Sequence, residues 1–190
     1  MSVVDEFKTV DRVLASGAET RGVDAFALSL IKAEKQARKL MTYLVYQHLW
    51  GDQTTVPALK DALEKRKVYF EGLLAGWDAL YPRSLQQLVG AEYTRLRARL
   101  ATATNYRNKI FHGQLTSEGL SRNNLVAFVR DIRLWCETLG SGAQREVGYD
   151  GCGRNSFRKA SNAAALCAKH KTPIANVAAY RQFIKTHMER

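Results

Sequence analysis

The chain has 190 residues, with 29 Lys or Arg against 18 Asp or Glu for a net charge of +11, and 46% hydrophobic residues. At this length folding takes roughly 70% of the unfolded surface out of water, so a core can form without disulfide or metal staples. The three cysteines, Cys136, Cys152 and Cys167, are odd in number and widely spaced; they suggest no disulfide framework and no zinc motif, and fit a reducing cytoplasm.

The periodicity reads as helix throughout, with no period-2 strand. Residues 2–15 place Val3, Phe7, Val10 and Leu14 on one face of a short first helix. Residues 23–50 form a long core helix with Phe26, Leu30, Ala33, Ala37, Leu40, Leu44 and Leu49 as its stripe. Residues 57–80 give a third helix, opened by Pro57 and closed before Pro82. A fourth runs from Ser84, where Gln87 completes a capping-box pattern, to Phe111. The fifth begins at Ser121 and ends on Gly140. The expected fold is an all-α antiparallel bundle of four long helices plus a short N-terminal one, over residues 1–140.

After residue 140 the composition changes. "GSGAQREVGYDGCG" holds five glycines in fourteen residues and reads as a connector or an unusual loop. Residues 141–190 then form a basic extension with two short helices, the second expected to take Thr172 as N-cap and Pro173 at its first position. From Asp150 to Arg190, eight Lys or Arg face two acidic residues, a net +6 of the total +11. Such an excess favours a polyanion, nucleic acid first, because each neutralised phosphate releases counterions. Arg154, Arg158, Lys159, Lys169 and Lys171, with Lys109 on the bundle, are the expected RNA contacts. No run of about 18 apolar residues occurs and the N-terminus is acidic and amphipathic, so a cytoplasmic protein away from membranes is expected.

"NYRNKIFHGQ", residues 105–114, concentrates the chemistry. A histidine exchanges protons near neutrality, and an arginine presents a permanently charged fork to phosphate oxygens. Together His112 and Arg107 can cleave RNA without metal, the imidazole moving the proton and the guanidinium steadying the charge that grows on phosphate. Asn108 lies four residues before His112, within reach of orienting it. Arg107 and His112 are about 140° apart on a helix, so one helix presents both to a single phosphate imperfectly. Two copies meeting about a two-fold axis would complete the site. His48 is expected to be partly buried at a helix end, and His170 and His187 to face solvent.

The stretch "RNKIFHG" resembles the R-x4-6-H motif of HEPN domains, near the end of a late helix of an α-helical bundle. Glu34 and Arg38, in "KAEKQARKL", resemble the E-x3-K/R signature on an early helix of some members. The resemblance covers roughly residues 20–140. It implies a metal-independent endoribonuclease, usually a homodimer, often a toxin or antiphage effector with an antitoxin or defence-system partner; no cofactor is expected, since the sequence holds no G-x-G-x-x-G, P-loop or H-E-x-x-H motif. Arg107 and His112 would then be catalytic, Asn108 would support them, and Glu34 with Arg38 would organise the cleft. Members silenced by adenylylation tend to carry Tyr two residues after the His, where this chain has Gln114. The alternative is a non-catalytic HEPN-like module that binds RNA or protein.

Overall fold

The computed structural model describes residues 3–48, 50–64, 67–111, 120–153 and 155–189. Every regular element among them is helical: α1 (Val3–Ala15), α2 (Arg21–Tyr46), α3 (Val56–Glu64), α4 (Phe70–Leu80), α5 (Leu85–Val89), α6 (Tyr93–Phe111), α7 (Arg122–Val147), α8 (Ala163–Ala168) and α9 (Val177–His187). The all-α expectation holds at this level.

The two 26-residue helices, α2 and α7, are the axis of the fold and pack on each other more extensively than any other pair. The stripe on α2 is buried from Ala25 to Tyr46, and α7 meets it with Phe128, Ile132, Trp135 and Leu139. Helix α1 buries Val3, Phe7 and Val10 across both. Helices α5 and α6 lie on α7, α4 on α2, and α9 closes the other flank against α3 and α4. Buried Gln36 ties α2 to the rest: its Nε2 donates to the Cys136 carbonyl at 3.0 Å and to that of Asp150 at 2.9 Å.

Several helix boundaries depart from the sequence expectation, among them that of the long helix expected over 23–50, which runs Arg21–Tyr46. The helix expected over 57–80 is two, α3 and α4, with extended Tyr69 as the N-cap of α4. Val68 and Phe70 are both buried, and one continuous helix would point them about 200° apart. The helix expected from Ser84 does start with the capping box, but stops at Val89. Gly90, at φ 81°, turns the chain into a short 3-10 segment before α6.

The largest departure is at α7, which runs through Gly140 and Gly142 to Val147 and ends on left-handed Gly148. These two helical glycines serve close approach and not termination. A Cβ on Gly142 would collide with the Leu88 carbonyl, and one on Gly140 would lie 2.9 Å from Gln36 Nε2. Their inherent cost inside a helix, about 1 kcal/mol each, is offset by packing.

The segment after α7 lies on the bundle. Gln47 donates to the Arg158 carbonyl and accepts from the Ala160 amide. Tyr180, Phe183 and Ile184 of α9 are buried, and Met188 packs against Gly72 and Gly76 of α4. Asn176, not Thr172, caps α9, its Oδ1 accepting from the Ala179 amide. Thr172 instead donates its hydroxyl to the Ala79 carbonyl.

Candidate functional site

Helix α6 crosses α2 so that its last turn stands over the middle of α2, and the two motifs meet there. Glu34 bridges them. Its Oε1 accepts from Arg38 Nη2 at 3.0 Å, and its Oε2 lies 3.7 Å from Arg107 Nη1. Arg38 also donates to the Val68 carbonyl at 3.3 Å, so the non-helical stretch just before α4 helps to fix it. Arg107 Nε and Nη2 donate to Asn108 Oδ1 at 3.3 and 3.1 Å. Asn108 thus spends its oxygen on the arginine beside it.

The three charged side chains are half-buried, 22% exposed for Arg107, 28% for Glu34 and 33% for Arg38. Such a triad keeps a guanidinium oriented while leaving it accessible, and two cations to one carboxylate leave a net positive charge for an anion. Lys109, also half-buried, lies one turn from Asn105 on α6. A cleft of about 470 Å³ lies along the same helix, lined by Asn105 and Thr104 and by an Arg97 that is held by Glu71 of α4 at 2.8 Å. His112 follows the last residue of α6 and lies outside the described residues, as does Arg154.

The tail cations gather elsewhere. Lys159 Nζ donates to the carbonyls of Tyr46 and His48, closing the C-terminal end of α2, and burial lowers its pKa. Lys171 Nζ donates to the Asp78 carbonyl at 2.8 Å, and Lys169 lies 3.9 Å from Glu146. Arg158 is exposed and shares a polar cleft of about 470 Å³ with Arg145, Lys159 and Asn162. From Glu34 to Tyr46 is twelve residues of helix, roughly 18 Å. The tail cations therefore gather at the C-terminal end of α2, away from the Arg107 cluster over its middle.

The sequence reading missed one group. His170, expected to face solvent, is half-buried, with its Nδ1 2.9 Å from Nε2 of His48, and Cys167 completes a trio with them. Burial first, then the neighbouring His48, pushes the His170 pKa down to about 4; burial and then Lys159 lower that of His48. The signal was present as C-x2-H at residues 167–170, but its partner His48 is over a hundred residues away.

Comparison with family models, curated proteins and solved structures gave no match at the level required for significance.

Proposed function

We propose that the chain is a metal-independent endoribonuclease of HEPN type, acting as a homodimeric toxin or antiphage effector on RNA in the cytoplasm. The observation that carries the reading is the meeting of Glu34, Arg38 and Arg107, from two motifs 73 positions apart, in one half-buried ion-paired group. In this mechanism the 2′-oxygen attacks the adjacent phosphorus and the P–O5′ bond breaks. His112 takes the 2′-OH proton or gives one to the leaving oxygen, its counterpart across the dimer doing the other, and Arg107 meets the charge on the non-bridging oxygens. The products are a 2′,3′-cyclic phosphate and a 5′-hydroxyl. Glu34 and Arg38 position the guanidinium, which exchanges a 3.7 Å ion pair for phosphate when RNA arrives. Ile31, one turn before Glu34 and 54% exposed, and Tyr69, beside the carbonyl that holds Arg38 and 53% exposed, favour an apolar contact with a second copy there.

A second reading, a non-catalytic RNA- or protein-binding module, is favoured by the Glu34–Arg107 pair itself, which also suits a purely structural role. The test is cleavage of labelled RNA in excess chelator. Arg107→Ala and His112→Ala should each lower the rate by at least about a hundredfold, the scale of a lost acid–base or charge-stabilising group, with unchanged helicity. Full cleavage by either variant overturns the nuclease reading, and RNA binding without cleavage by the parent chain supports the module.

A further inference from the structure

Beyond that reading, the trio of His48, Cys167 and His170 lies at the far end of α2, fourteen residues or roughly 20 Å from Glu34. The three side chains come from the C-terminal end of α2 and from the end of α8, and each offers a ligand atom within 4.8 Å of the others. All three are half-buried. The His48–His170 hydrogen bond accounts for one nitrogen of each ring. The other nitrogen of His170, Nε2, is buried without a hydrogen-bond partner among the described residues, whichever tautomer the pair adopts. A buried polar atom without a partner is uncommon in folded proteins and calls for an explanation, of which a bound ion is one.

We infer that His48, Cys167 and His170 form a binding site for a borderline-soft divalent cation, zinc by preference, which fastens the C-terminal segment to the end of α2. Two imidazoles and a thiolate are the donor set that zinc selects over magnesium or calcium, which require oxygen. A tetrahedral ion with bonds of about 2.0 to 2.1 Å separates its nitrogen ligands by roughly 3.4 Å. If the ion takes the two facing nitrogens, now 2.9 Å apart, they need to part by only about half an ångström. If it takes His170 Nε2, the orphaned atom finds its partner. Both rings are held neutral, ready to give a lone pair; the Cys167 thiol, raised by burial, gives up its S–H proton to solvent as the metal–sulfur bond forms. Each bound ion therefore releases one proton.

The surroundings fit an ion that arrives from solvent and keeps an open position. A cleft of about 700 Å³ reaches all three residues and is otherwise lined by Trp50, Pro173, Ile174 and three alanines. Trp50 stacks on His48 with ring centroids 6.2 Å apart and donates its Nε1 to the Ile174 carbonyl, which fixes one wall. With three protein ligands, a fourth site stays free for water or for a small donor entering the cleft.

The test uses the full chain, stripped with chelator and titrated with Co²⁺ as a spectroscopic probe and with Zn²⁺ as competitor. One equivalent of Co²⁺ should give the ultraviolet thiolate-to-cobalt band and the intense visible bands of a tetrahedral site, and Zn²⁺ should displace it. Cys167→Ser should abolish the ultraviolet band, and His48→Gln or His170→Gln should weaken binding at least tenfold. Zn²⁺, and not Mg²⁺, should raise the melting temperature of the parent chain, and should do so far less for Cys167→Ser. This isosteric variant should keep the metal-free melting profile, which separates loss of the ligand from loss of the fold. No saturable cobalt spectrum, or one identical in the Cys167→Ser chain, overturns the site. Nuclease activity is not read, so the two proposals stand or fall separately.

Discussion

At the scale of single residues, the chemistry divides between two clusters whose legibility differed for a physical reason. Glu34 and Arg38 are four apart on one helix, a spacing that sequence displays directly, and Arg107 carries its own short motif. The trio at the C-terminal end of α2 joins His48 to Cys167 and His170, and only tertiary docking puts them together. That docking has a pH signature. Burial and the proximity of His48 push His170 to about 4 from an ordinary 6.5. Lys159, on the His48 carbonyl, lowers the His48 pKa after burial does, and the Tyr81 ring covers another side of His170 at 5.9 Å. As the pH falls the unfolded chain takes up the proton first, so stability is full above about 6.5, declines between 6.5 and 4, and changes no further through this group below 4. A shift of that size is worth up to about 3 kcal/mol. Metal-free protein should therefore show a urea midpoint that drops across this window, and His170→Gln should flatten the drop. A midpoint with the same pH profile in both proteins would place His170 outside the titrating set.

At the scale of elements, the caps were readable and the interruptions were not. Ser84 and Ser121 cap their helices through the amides of Gln87 and Asn124, as the local sequence indicates. Gly140 gave the opposite result: a glycine after an apolar run has the form of a C-cap, but its role here is decided by Gln36 on another helix. The same holds at Gly142, whose missing Cβ lets α7 lie against the Leu88 carbonyl of α5. Substitution there separates propensity from packing. Gly142→Ala gains about 1 kcal/mol of helix propensity and loses the close approach, and forcing backbone apart in a packed interior costs about 1–3 kcal/mol or more. The net expectation is a lower melting temperature. Gly17→Ala, where a Cβ would meet nothing within 4 Å, should leave melting unchanged or slightly raised. A Gly142→Ala chain as stable as the parent would show that α5 shifts freely.

At the scale of the whole molecule, a net +11 implies attraction to a polyanion but not where it lands. The structure sorts the tail cations by what they already do. Lys159 and Lys171 are engaged by backbone carbonyls, and removing either exposes the docking of the tail more than it changes the outer charge. Arg158 is exposed on the cleft it shares with Arg145, and Lys169 is exposed with only a 3.9 Å link to Glu146. These are the cations with little to lose by turning to a phosphate, since an exposed ion pair is worth under about 1 kcal/mol. Replacing Arg158 and Lys169 together by Gln should weaken RNA binding most at low salt, and should flatten the slope of log K against log salt by up to ~0.7 to 0.9 for each phosphate that is no longer neutralised. Melting should stay close to that of the parent. Replacing Lys159 and Lys171 should do the reverse, lowering the melting temperature with a smaller change of slope. The cleavage position should not move in either pair, because Glu34, which pairs with Arg107, lies roughly 18 Å along α2 from the Tyr46 carbonyl where Lys159 docks. An unchanged slope in the Arg158 and Lys169 double variant would place the RNA elsewhere, along the α6 cleft beside Asn105, and a shifted cut would mean that the tail chooses the phosphate presented to Arg107.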